Sequence, residues 1–164
     1  MRATNFLTAA ANVAGTNAPV NYYLLPANCL TNNGDIYTRN LGVVLQATNL
    51  WKRLQVFWNS NSILDTGAIT NLGGPSGLSV ECQVVRMNSN NVAYNCFAVE
   101  MDNAGAPANF QTRNFASVGM IPAVAFSNPI PCYVILTDGG GGSAAGDISI
   151  LTDRTKIENS FGLY

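Results

Sequence analysis

Apolar and polar side chains alternate with a period of two through most of this chain. In KRLQVFWN (52–59), Leu54, Val56 and Trp58 fall on one side of an extended backbone, and Arg53, Gln55 and Phe57 on the other. That is the pattern of a strand with one face turned to a core. The apolar runs GLSVECQVVRM and NVAYNCFAVEM flank NSNN, which predicts a hairpin. YYLL (22–25) ends at Pro26, NNGD (32–35) is a turn before IYTRNLGVVLQAT, and SNS turns into ILDTGAI. MIPAVAF and CYVILT predict further strands, with Pro122, Pro129 and Pro131 suited to strand starts or edges. After DGGGGSAAGD, ISILT is a strand and IENSFGLY a candidate last one. Only NFLTAAANVA offers a helical period, over a short Ala-rich stretch.

About ten short strands with regular turn signals predict an all-β fold, a sandwich or barrel. A chain of 164 residues has room for one domain with a real core. We assign residues 21–164 to a single jelly-roll-like antiparallel β-sandwich and residues 1–20 to an N-terminal arm. The sequence shows no internal repeat and no linker. The runs at 78–87 and 131–136 are too apolar for a sheet with one wet face, so they belong to central strands or a subunit interface. The arm carries small and amide side chains rather than a core stripe. Two roles are open to it: gripping a neighbour, or pairing as a first strand in its own sheet.

Composition narrows the function. Only 10% of residues are charged, against about 25% in an average soluble protein, and the net charge is −1. Such a surface resists aggregation poorly. It suits either a stable β-protein with polar loops or a subunit covered by copies of itself. Eight scattered basic residues give no support to nucleic-acid binding. No apolar run is long enough to span a bilayer as a helix. Asn5, Thr8 and Asn12 interrupt any signal-peptide core, so the start reads as a mature cytosolic one. Cys29, Cys82, Cys96 and Cys132 are widely spaced among apolar neighbours. They read as buried free thiols, with a Cys82–Cys96 disulfide as the alternative. Without paired spacings or histidine they do not read as a zinc site.

Candidate chemistry is sparse. With no histidine, a Ser-His or Cys-His nucleophile pair is impossible. Asp65-Thr66-Gly67-Ala68 carries the letters of an aspartic-protease motif, which would need Asp65 to meet its mate in a homodimer. Pro75 stands where a flap should run, and the late strand YVILT leads into glycines rather than a helix. The alternative reading is a turn in which Asp65 bonds local backbone and Gly67 takes positive φ. Glu81 and Glu100 on the predicted hairpin are candidates for a glycosidase pair. Asp138, Asp147 and Asp153 border the glycine loop and offer oxygens to calcium, but their spacing matches no known loop, and no metal is assigned. Gly139–Gly142 lacks the Gly-Lys-Ser/Thr of a phosphate cradle. Trp51, Trp58, Tyr22, Tyr23 and Tyr37 are candidates to stack on sugars or to fill a core.

Two segments resemble a β-sandwich module of tailed-bacteriophage virion proteins. They carry Pro26-Ala27-Asn28, Leu30 and Gly34-Asp35, then the Lys52–Val56 strand and Leu64-Asp65-Thr66-Gly67-Ala68. A strand with Arg86 follows, and small residues precede Asp-Ile between Ala144 and Ile150. The match covers about 22–101 well and 131–151 loosely, through turn and strand residues rather than catalytic ones. The resemblance implies a non-enzymatic structural protein of the virion, assembled in the host cytoplasm, with no cofactor and no catalytic residue. It implies a homotrimeric capsid decoration or cement protein that bridges capsomers and contacts the major capsid protein or another virion protein. The alternative is a fibre or tail-tip knob that binds a host surface glycan.

Overall fold

The computed structural model describes residues 3–7, 10–11, 19–46, 51–70, 75–102, 111–139 and 147–160. Among them lie eleven strands and no helix: β1 (Ala3–Leu7), β2 (Ala10–Ala11), β3 (Pro19–Leu25), β4 (Ile36–Leu45), β5 (Trp51–Trp58), β6 (Asn61–Asp65), β7 (Ser76–Arg86), β8 (Val92–Asp102), β9 (Gln111–Ile121), β10 (Ile130–Gly139) and β11 (Ile148–Glu158). They form two antiparallel sheets. Sheet A runs β1-β11-β4-β7-β8-β9, with β2 also on β11, and sheet B runs β3-β10-β5-β6.

The chain crosses between the sheets repeatedly. It passes from β1 in sheet A to β3 in B, β4 in A and β5 in B. It turns through the hairpin to β6, then returns to β7 in A, and later crosses to β10 in B and β11 in A. This alternation between two four-stranded layers is the jelly roll, with the β8–β9 hairpin added beyond β7. The jelly-roll-like sandwich expected from the sequence is therefore the fold.

Period-two burial builds the core between the sheets. On β5, Lys52, Leu54, Val56 and Trp58 are buried while Trp51, Arg53, Gln55 and Phe57 are half-exposed. On β10, Cys132, Val134 and Leu136 point inward against them. On sheet A, Leu41, Val43, Leu78, Val80, Cys82 and Val84 complete one continuous cluster. The apolar runs at 78–87 and 131–136 lie on β7 and β10, each flanked by strands on both sides.

Four local expectations are corrected. NFLTAAANVA forms no helix over its described part: residues 3–7 pair with 153–157, and 10–11 with 149–150 of β11. Over those residues the arm takes the second of its two open roles, as strands of its own sheet. MIPAVAF is not one strand, since β9 ends at Ile121 and 122–129 form the connection to β10. ISILT and Ile157-Glu158 belong to one strand, β11, with a register shift between Ile150 and Thr152; residues 161–164 lie outside the described ones. Finally, β9 is a strand that the pattern does not predict.

Candidate assembly surface

Of the residues that carry the resemblance, Asn28, Leu30, Gly34-Asp35 and Arg86 gather at one end of the sandwich, while Lys52 and Asp65-Thr66-Gly67 lie at the other, beside the end of β10. Asn28 takes φ +58° and Gly34 φ +87°, conformations that amide side chains and glycine tolerate best. Leu30 is buried in the core, and the Arg86 guanidinium bonds its carbonyl while lying 4.2 Å over the Phe126 ring. Asp35 is the centre of this end. Its buried carboxylate accepts from Thr31 N (2.7 Å), Asn32 N (2.8 Å), Asn159 Nδ2 (3.0 Å) and Ser160 N (2.7 Å). Burial alone pushes its pKa up. Hydrogen bonds from Asn32, Asn159, Ser160 and Thr31 outweigh it and bring the value down to about 2.

Asp65 closes a turn. Arg53 grips both carboxylate oxygens, Nε at 2.8 Å from Oδ1 and Nη2 on Oδ2. Gly67 N donates to Oδ1 (2.8 Å), and Gly67 takes φ +62°. The Arg53 hydrogen bonds, first among the causes, hold its carboxyl below the usual range. Buried Thr66 Oγ1 accepts from Leu54 N (3.0 Å), tying the turn to β5. The turn reading of DTGA accounts for each of these contacts. Because Asp65 is partly exposed, Asp65→Asn is expected to cost about 1 kcal/mol or less. A urea titration checks this, and a loss of several kcal/mol would contradict it.

The other acidic candidates separate. Glu81 is exposed, whereas Glu100 is fully buried, bonded by Ser76 Oγ (3.1 Å) and 3.5 Å from Arg113. They occupy opposite faces of sheet A, so they form no carboxylate pair. Asp153 pairs with Arg39 inside the sandwich. Asp138 and Asp147 lie in the field of buried Lys52, whose pKa burial pushes down while Asp147 and Asp138 work the other way. Among the described residues no group of three or more His, Cys, Asp or Glu converges on a metal position. Gly140–Gly142 lie outside the described residues; Gly139 carries the Trp51 ring, with no room for a Cβ.

The Arg39–Asp153 pair is the main polar feature of the interior. Arg39 Nε reaches Oδ1 at 3.0 Å and Nη2 reaches Oδ2 at 2.5 Å, the bidentate geometry of a strong charged bond. Asn21, in sheet B with φ +48°, donates Nδ2 to Asp153 (3.0 Å) and accepts from Arg39 at its carbonyl (3.2 Å). The pair thus joins the two sheets. Burial works to discharge Arg39, but its hydrogen bonds to Asp153 hold the pKa above its ordinary value. Tyr23, whose ring lies under Arg39, shares a hydrogen bond with buried Tyr37.

Of the aromatic candidates, Trp58 and Tyr37 are core. Tyr22 is exposed, and its ring stacks with Tyr133, which stacks with Phe57, in a row across the outer face of sheet B. The four cysteines are free, three of them buried. Cys82 and Cys96 face each other across β7 and β8. Their mutual hydrogen bond and burial raise the Cys82 thiol, and burial pushes Cys132 up to about 12, so these are inert thiols. A cavity of about 420 Å³ opens between β3 and the end of β11, lined by Tyr23, Leu24, Cys29, Thr155, Ile157 and Asn159, without a charged side chain.

The surface that departs most from an ordinary one is the outer face of sheet A along β8 and β9. Alternation turns Asn95, Phe97, Val99 and Met101 outward on β8, beside Asn114, Ala116, Val118 and Met120 on β9. None is charged. Val118 is 81% exposed, Met120 64% and Phe97 47%. Toward β11 the same face dips over Gly42 and Gly77, with Met101 and the exposed Leu151 lining the depression. Scattered exposed apolar residues are ordinary, but a contiguous set marks a contact surface. In the sequence, the signal was a run from 111 to 121 with one charge and no proline. Compared with known proteins, the chain matches no family model and no curated protein.

Proposed function

We propose that the protein is a non-enzymatic structural subunit of a tailed-phage virion, a capsid decoration protein that bridges capsomers. The observation that carries this reading is the uncharged outer face of β8 and β9, with Phe97, Met101, Val118 and Met120 open to solvent. Covering apolar area stabilises a contact by roughly 25 cal/mol per Å², and a surface with so little charge opposes it weakly. The jelly roll is used by viral capsid proteins as well as by lectins and cupins. The fold is compatible with this function without dictating it. The subunit works together with copies of itself, closed as a homotrimer, and with the major capsid protein.

The test uses undecorated capsids built from the shell protein of the same genome. The purified protein should co-sediment with them to saturation. Phe97→Lys with Met101→Lys should leave the melting temperature nearly unchanged and abolish co-sedimentation. Saturable binding that ignores these changes would contradict the assigned surface. One observation favours a second reading, a fibre or tail-tip knob: the Tyr22–Tyr133–Phe57 row on sheet B leaves Tyr22 open for a sugar ring. Absence of capsid binding together with binding to a host surface glycan, lost in Tyr22→Ala, would select it.

A further inference from the structure

The strand edges of the two sheets are protected unequally. In sheet B, β6 is five residues long with a register shift against β5, while β3 begins with Pro19 and is kinked where its register with β10 shifts. In sheet A, β1 is five residues long. Short strands, prolines and bulges are the usual devices that keep an edge from pairing with another chain. The edge strand β9 has none of them. It runs eleven residues in unbroken register with β8, and among the described residues its other side has no partner strand. Its single charge, Arg113, is engaged by Glu100 across the hairpin.

We infer that β9 pairs antiparallel with β9 of a second copy, about a two-fold axis through Ala116, joining the two A sheets into one. A two-fold contact must be self-complementary, and this strand satisfies that condition. Centred on Ala116, Phe115 meets Ser117, Asn114 meets Val118, and Thr112 meets Met120. Arg113 meets Gly119, whose bare backbone carries the Tyr94 ring, so no like charges face each other. Each long side chain is matched to a shorter one. Partners fall on the same face of the joined sheet, which keeps Phe97, Val118 and Met120 of both copies on one continuous outer surface. The inference shares with the decoration reading only the premise that the chain works in several copies. A two-fold junction is a different contact from three-fold closure: alone it gives a dimer, and with a trimer it gives a hexamer.

Cysteine scanning along β9 tests this, with the natural protein setting the background. Position 116 meets itself across the axis, so Ala116→Cys should give a disulfide-linked dimer almost quantitatively under mild oxidation. Thr112→Cys or Met120→Cys alone should give none, because each lies about 27 Å from its own mate at ~3.4 Å per residue. The two variants mixed should cross-link with each other. Light scattering of the natural protein at micromolar concentration should give an even number of copies. A monomer or a simple trimer would overturn the inference, as would cross-linking at 112 or 120 alone equal to that at 116. A monomer that still decorates capsids would remove this inference and leave the decoration reading standing. An intact two-fold dimer that ignores capsids would do the reverse.

Discussion

Replacing Asp153 with alanine is expected to destabilise the sandwich by about 3–5 kcal/mol, because it leaves the buried Arg39 guanidinium without its counter-charge. Arg39 is 1% exposed, so water cannot take over the lost bonds. The same change removes an acceptor from Asn21 Nδ2 and loosens one tie between the sheets. Substituting both partners separates the charge penalty from the packing. Arg39→Met with Asp153→Leu should recover most of the loss, since apolar replacements of buried ion pairs are often neutral or stabilising. Urea midpoints of the two variants measure this. A cost below about 1 kcal/mol for Asp153→Ala would mean that the pair carries little weight.

Asp35→Ala should produce a loss of about 1–3 kcal/mol, the cost of leaving polar groups without their acceptor, since three part-buried backbone N–H groups lean on this carboxylate. The linkage with pH has a definite sign. The folded pKa of about 2 lies below the unfolded value of ~3.9, so protons bind the unfolded chain more readily. The roughly 2.5 kcal/mol that follows from this difference is fully present above the unfolded pKa and is lost as pH falls through about 2. Acid titration of stability should therefore show a steep decline between about pH 4 and 2 in the natural protein. In Asp35→Ala that decline should be shallower. Parallel acid profiles for the two would contradict the role given to Asp35.

The strands that were legible in the sequence are those with a core beneath one face. Leu54, Val56 and Trp58 on β5, and the apolar runs of β7 and β10, announce themselves because every second position must be buried. β9 does not: its inward positions include Arg113, Phe115, Ser117, Gly119 and Ile121, and of these only Phe115 and Ile121 pack in or against the core. It lies beyond β7 at the sheet margin, where no hydrophobic stripe is required. β11 is obscured by its register shift and by the buried polar residues Asp153 and Thr155, which interrupt the apolar pattern. Asp153 read as a loop acid for the same reason, since its partner Arg39 stands 114 residues away in sequence. The turn chemistry was local and therefore readable. Gly34-Asp35 and Asp65-Thr66-Gly67 both serve turns, although the convergence of Asn159 and Ser160 on Asp35 required the fold.

The measurement that bears most directly on the decoration reading is electron cryomicroscopy of purified particles assembled from the genome that encodes this chain. The account predicts copies of the sandwich on the outer shell at capsomer junctions, with the outer face of sheet A, through Phe97 and Met101, turned against the capsid protein. Particles that lack the protein altogether, or that carry it only at the tail tip, would contradict it.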